Sequence, residues 1–187
     1  KSPSVSVVVP ARNEARRIGG CLAGLRAQDA TLLEALIVDG GSVDGTREIV
    51  GTAGEADPRI RLLDEPPLPN GMVGRPWAIA TGARAAVGEW VLVVDADATP
   101  RPGMARGVVA AAEANRYDSV SFAPRIFAPG AGARWLQASF VITLVYLLAL
   151  LRGVDARVAT TFVDQGAGGA AGGSGRVYNL YGGFSSL

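Results

Sequence analysis

Asp95-Ala96-Asp97 sets two carboxylates one residue apart, directly after the apolar run Glu89 to Val94. Hard oxygen ligands in that arrangement suit Mg²⁺ or Mn²⁺ and the phosphates such an ion carries. Two more clusters share the setting of polar residues at the end of an apolar run: Pro10-Ala11-Arg12-Asn13-Glu14 and Asp39-Gly40-Gly41-Ser42. Arg75 closes a loop rich in proline and glycine, and a guanidinium can grip phosphate through two hydrogen bonds. Each feature has a plainer reading on its own. An Asp-x-Asp can cap a strand end, Asp39 can start a turn, and Arg12 and Arg75 can be solvated side chains.

The elements that must hold these residues follow from hydrophobic period. Val5 to Pro10 is a short β-branched run and reads as a buried strand. Ala15, Ile18, Leu22 and Leu25 recur at helical spacing after it, with Asn13 as the expected N-cap and Glu14 in the first turn. Leu36-Ile37-Val38-Asp39 is a second strand, broken by a turn through Thr46 and followed by a short helix carrying Arg47, Ile49 and Val50. A third strand runs from Arg59 to Leu63. The loop from Asp64 to Arg75 is of a length more often functional or mobile than merely connecting. Pro76 suits the first turn of the next helix, which stops near Gly88. The Trp90 strand, a helix over Ala105 to Ala114 and a strand near Ser119 to Ala123 complete the pattern. Alternating strands and helices predict an α/β fold with a mainly parallel sheet covered on both faces. Open sheets of this kind bind ligands beyond the carboxyl ends of their strands, which is where the three clusters fall. A nucleotide there would have its base edge read by Asp39 and its diphosphate neutralised by a metal on Asp97.

Composition removes several alternatives. The chain of 187 residues has a net charge of +1 and no histidine. The charge argues against a nucleic-acid binder driven by bulk charge. The missing histidine excludes Ser-His and Cys-His nucleophilic catalysis and histidine-ligated zinc. A single cysteine, Cys21, permits no internal disulfide and reads as core packing. No signal-peptide h-region precedes the first strand. Trp135 to Leu151 carries no charged residue and is bracketed by Arg134 and Arg152. As a helix it would span about 26 Å at ~1.5 Å per residue, against about 30 Å of bilayer hydrocarbon. It suggests membrane contact or a core helix covered by a partner. Gly166 to Gly175 is almost entirely Gly and Ala and reads as low-complexity.

Val5-Ser6-Val7-Val8-Val9-Pro10-Ala11-Arg12-Asn13-Glu14, then Ile37-Val38-Asp39-Gly40-Gly41-Ser42-Val43-Asp44-Gly45-Thr46, then Gly88 to Asp97 resemble, in order and spacing, the family 2 glycosyltransferases of GT-A fold. Pro69 to Gly82 is similar to membrane-associated members near lipid pathways. The resemblance implies an inverting, metal-dependent transfer from a nucleotide-diphosphate sugar, uridine rather than guanosine, to a lipid or glycan acceptor. It implies donor contacts from Pro10, Ala11, Arg12, Glu14, Asp39, Gly40, Ser42, Arg75, Asp95 and Ala96. Asp97, with Asp95, would hold Mg²⁺ or Mn²⁺. Where family members often have Asp-Asp-Gly-Ser, Gly40 replaces the second Asp.

An inverting transferase also needs a carboxylate to deprotonate the acceptor hydroxyl. In the family it follows a Gly-Gly-Phe or Gly-Gly-Tyr segment, but no acidic pair follows Tyr181-Gly182-Gly183-Phe184 here. Asp164 is the substitute candidate. The resulting partition is a nucleotide-sugar domain over 1–133, a hydrophobic helix over 134–153 and an acceptor-side or truncated tail over 154–187. The expected location is the cytoplasmic face of a membrane. Two alternatives stay open: a sugar nucleotidyltransferase, for which Pro10 to Glu14 is a poor phosphate loop, and a nucleotide-sugar-binding module without a catalytic base.

Overall fold

The computed structural model describes residues 3–71, 73–116, 121–122, 130–132, 135 and 176–180. Among the described residues six strands form one sheet in the order β3-β2-β1-β4-β6-β5. They are β1 Val5–Ala11, β2 Leu32–Asp39, β3 Ile60–Asp64, β4 Trp90–Val93, β5 Ser121–Phe122 and β6 Arg176–Leu180. Every neighbouring pair is parallel. The central strands β1, β2 and β4 are almost wholly buried, as continuous apolar runs in a doubly covered sheet must be.

Four helices lie between the first strands: α1 Ile18–Arg26, α2 Thr46–Ala56, α3 Gly74–Ala85 and α4 Met104–Asn115. The two-residue alternation of β1 divides the core. Val5, Val7 and Val9 pack with Ile18, Cys21, Leu22 and Leu25 of α1, Val50 of α2, and Val108, Val109 and Ala112 of α4. Val8 faces the other way, onto Ala78 of α3, with Val38 and Val91 beside it. Gly82 allows that second contact, because a Cβ there would lie 2.4 Å from Val8 Cγ1 and 3.1 Å from Val38 Cγ2.

The predicted strands and helices are present, with two differences. β6 is a strand from within the stretch assigned to the tail, and it inserts between β4 and β5. The glycine and alanine tract before it carries no strand pattern. Asn13 does not cap α1: Arg17 holds that position and makes no capping hydrogen bond through its side chain. No helix among the described residues is long and apolar enough to cross a membrane. Apart from Trp135, the stretch Trp135 to Leu151 lies outside the described residues, as does Asp164.

Candidate active site

The parallel strands bring their carboxyl ends to one edge, and side chains in the loops then lock those ends together. The β1 and β2 loops are tied by four hydrogen bonds. Asn13 takes a left-handed φ of 57°, so that its N–H donates to Ser42 Oγ at 2.9 Å while its Oδ1 accepts from the Val43 N–H at 2.9 Å. The Glu14 N–H donates to Thr46 Oγ1 at 2.9 Å, and the Ala15 N–H donates to Asp44 Oδ2 at 3.0 Å. Asp44 Oδ1 also accepts from the Thr46 N–H at 3.1 Å. Asn, Ser, Asp and Thr are thus used here as connectors between loops. Ser42, expected to touch a donor, is occupied as one of these connectors.

Asp39 ends β2 with its side chain fully buried. Its Oδ2 accepts from the N–H groups of Gly41 at 3.2 Å and Ser42 at 3.1 Å, and from Arg47 Nη1 at 2.9 Å. Burial opposes ionisation of this carboxyl, but the hydrogen bonds from Ser42 and Arg47 outweigh it and hold its pKa below the usual range. Asp39 Oδ1 is also buried and has no hydrogen-bond partner among the described residues. A buried acceptor left in that state costs free energy unless a donor arrives. Arg47 Nη1 reaches Asp64 Oδ1 at 2.6 Å as well, so one guanidinium joins the ends of β2 and β3.

At the end of β4, Asp95 accepts a hydrogen bond from Arg75 in the first turn of α3. Asp97 Oδ2 lies 3.9 Å from Arg17 Nη1, and Arg17 Nε lies 3.0 Å from Glu14 Oε2. The Ala96 side chain is buried in the core between these two carboxylates. Cys21 is buried below, its thiol pushed up to about 12 by burial and by the charges of Asp95 and Asp97. Its place in the core, fully buried with Ile18, Leu22 and Leu25, fits a packing role.

A cavity of about 490 Å³ opens between the β1 and β2 loops and α3. Pro10, Ala11, Arg12, Glu14, Gly40 and Arg75 line it, all of them expected donor contacts. Its wall also contains Glu65, Pro66 and Leu68, which the sequence marks only as part of a long loop. Trp77 holds that loop down by donating Nε1–H to the Pro66 carbonyl at 3.0 Å, and Arg84 stacks on the ring of Trp77 at 5.0 Å from its centroid. Asp39, Asp95 and Asp97 do not line the cavity itself. Arg75 connects its wall to Asp95. Sequence reasoning misses Arg47 and Glu65 because nothing local marks them and their partners lie on other elements; Arg17 has a local signal in its i,i+3 pairing with Glu14, but its approach to Asp97 is tertiary.

Among the described residues no third His, Cys, Asp or Glu joins Asp95 and Asp97 in a closed metal cluster. An ion such as Mg²⁺ or Mn²⁺ keeps water and substrate phosphates among its ligands, so one or two carboxylates of this kind suffice to fit it.

Residues 6–169 match the family model described as Glycosyl transferase family 2. Succinoglycan biosynthesis protein ExoO of Rhizobium meliloti is 37% identical over 116 residues, covering 61% of this chain and 31% of that protein. ExoA of the same organism is 34% identical over 121 residues, covering 64% and 36%. The chain therefore spans about a third of the length of these curated relatives. Among solved structures, S. aureus TarS 1-349 superposes with a TM-score of 0.55 at 22% identity, covering 68% of this chain and 38% of that one. TarS 1-349 has also been crystallised with UDP-GlcNAc. Glucosyl-3-phosphoglycerate synthase from Mycobacterium tuberculosis, in a complex with Mn²⁺, UDP and glucosyl-3-phosphoglycerate, gives 0.50 at 22% identity over 66% of this chain and 45% of that one. This chain thus belongs to glycosyl transferase family 2 and has the GT-A fold.

Proposed function

We propose that the protein transfers a sugar, with inversion, from a nucleoside-diphosphate sugar to a lipid or glycan acceptor. The observation that carries this reading is the joined edge of the sheet. There the cavity wall formed by Pro10, Arg12 and Gly40 adjoins Asp39, whose Oδ1 has no partner among the described residues, and Arg75 links that wall to Asp95. Asp39 Oδ1 is suited to accept an N–H from a nucleobase. Arg75 would supply positive charge toward a diphosphate, and Arg12 would lie against the nucleobase and ribose. The resemblance favours uridine as the base. Asp97, with Asp95, would hold Mg²⁺ or Mn²⁺. A bound divalent ion would offset the charge that develops on the departing diphosphate.

In the transfer the acceptor oxygen attacks the anomeric carbon, the bond from that carbon to the diphosphate oxygen breaks, and the nucleoside diphosphate leaves with the electron pair. The acceptor proton must pass to a base, for which Asp164 is the candidate in this chain. Support for a lipid acceptor at the cytoplasmic face of a membrane comes from the uncharged stretch Trp135 to Leu151.

The test is release or transfer of sugar from labelled nucleotide sugars, measured with and without Mn²⁺. Turnover abolished by Asp97→Ala supports the proposal. If Asp164→Asn lowers turnover while nucleotide affinity is kept, Asp164 acts on the acceptor side. Nucleotide binding without turnover on any acceptor would favour a binding module instead.

A further inference from the structure

Gly40 and Glu65 occupy one place in the cavity wall. A Cβ on Gly40 would lie 2.7 Å from Glu65 Oε2 and 3.6 Å from Arg12 Cβ, so the Glu65 carboxylate fills the space that a side chain at position 40 would enter. The backbone explains how it reaches there. Register pairs Asp39 with Asp64 at the ends of β2 and β3, and the Glu65 N–H extends the ladder by donating to the Asp39 carbonyl at 3.0 Å. Glu65 is thus drawn alongside Asp39 and turns its side chain across Gly40, beside Arg12. Both Gly40 and Glu65 line the cavity.

Two carboxylates therefore stand together where the base of a donor would be read. Asp39 keeps one buried oxygen without a partner among the described residues. Glu65 brings a second set of acceptors. An ionised carboxylate only accepts hydrogen bonds. Guanine offers adjacent donors on its pairing edge, the N1–H and the exocyclic amino group. Uracil offers one N–H flanked by two carbonyls. A base that turns a carbonyl toward Glu65 leaves two acceptors facing each other, and a site built for hydrogen bonding discriminates strongly against a mismatched partner.

We propose that Glu65 is a specificity-determining residue of the donor pocket: its carboxylate takes the place of a side chain at position 40 and biases the pocket from uracil toward guanine. This rests on the nucleoside-diphosphate donor reading given above, but departs from the uridine that the family resemblance favours, because Glu65 adds an acceptor beside Asp39. Gly40 is then more than a lost aspartate, since its missing side chain makes room for a carboxylate from the next strand.

The experiment is calorimetric titration of the full chain with GDP and with UDP in the presence of Mn²⁺, at about pH 8 so that Glu65 is ionised. Wild type, Glu65→Gln and Gly40→Ala are compared. The glutamine keeps shape and adds an N–H donor. It is expected to shift the ratio of the two dissociation constants toward UDP by about tenfold, the equivalent of ~1.4 kcal/mol. Gly40→Ala, whose methyl displaces Glu65, should shift the ratio in the same direction. If both nucleotides bind the wild type and the ratio stays within about twofold in both variants, on that scale, the role of Glu65 is overturned while the donor reading stands. If folded wild type binds neither nucleotide, the donor reading fails and takes this proposal with it.

Discussion

Arg75, in the first turn of α3, donates to Asp95 at the end of β4, and so joins the cavity wall to the strand end where the paired aspartates lie. Arg75 is about half exposed in this pair, its side chain retaining 49% of its accessible surface. Solvent screens the Arg75 end, while the Asp95 carboxylate, 11% exposed, still needs a donor that glutamine can supply. Arg75→Gln is therefore expected to change stability by less than about 1 kcal/mol and to weaken nucleoside-diphosphate binding by about tenfold, since charge-assisted contacts to phosphate are among the stronger hydrogen bonds. Calorimetry and thermal melting of the same variant separate the two effects.

Asp39 links the site to stability through its charge. Its folded pKa is depressed, so its contribution is present above the ordinary Asp value of about 3.9 and is lost as pH falls through the lower folded value. Asp39→Asn should cost about 2 kcal/mol at neutral pH. That cost should shrink as the wild-type carboxyl protonates in the acid range. Urea unfolding of both proteins at neutral pH and in acid measures it. An equal difference at the two pH values would contradict the assignment.

Two glycines should respond in opposite ways to the same substitution. Gly82 is pressed against Val8 and Val38, so Gly82→Ala overpacks the interface between α3 and the sheet and should cost about 1–3 kcal/mol. Gly51 lies in α2, exposed, and a methyl added there would meet nothing within 4 Å. Gly51→Ala should stabilise by about 0.5–1 kcal/mol through helix propensity. Chemical denaturation midpoints decide both.

The tie between the β1 and β2 loops should matter more to binding than its exposure suggests. Asn13→Ala removes the acceptor for the Val43 N–H and places alanine at a positive φ, where it is strained. A loss of about 1–2 kcal/mol in stability is expected, with weaker nucleotide binding because Arg12 and Gly40 are no longer held together. Asn13→Gly tolerates the backbone but still lacks the side chain. It should recover part of the stability and little of the affinity.

Much of this arrangement is legible in the residues themselves. Buried parallel strands are continuous apolar runs, so β1, β2 and β4 stand out, and the polar cluster after each marks the ligand edge. Arg75 is legible as the cation closing a proline-rich loop. Three kinds of feature are not. β6 follows a glycine and alanine tract whose composition hides a strand. Ala96 sits between two aspartates, yet alternation turns it into the core. Glu65 and Arg47 acquire their roles only when β3 and α2 are laid against β2, a tertiary fact with no local pattern. Asn13 shows the reverse error: a good helix-capping residue that tertiary contacts use to join two loops.

The central claim is that Asp97, with Asp95, binds a divalent ion together with the diphosphate of a nucleotide. Titration of wild type and Asp97→Ala with GDP and UDP, with and without Mn²⁺, tests it most directly. The account predicts that Mn²⁺ strengthens binding of at least one nucleotide by about tenfold or more, equivalent to ~1.4 kcal/mol, and that Asp97→Ala abolishes this gain while remaining folded by circular dichroism. Binding unaffected by Mn²⁺, or a gain that survives Asp97→Ala, would contradict it.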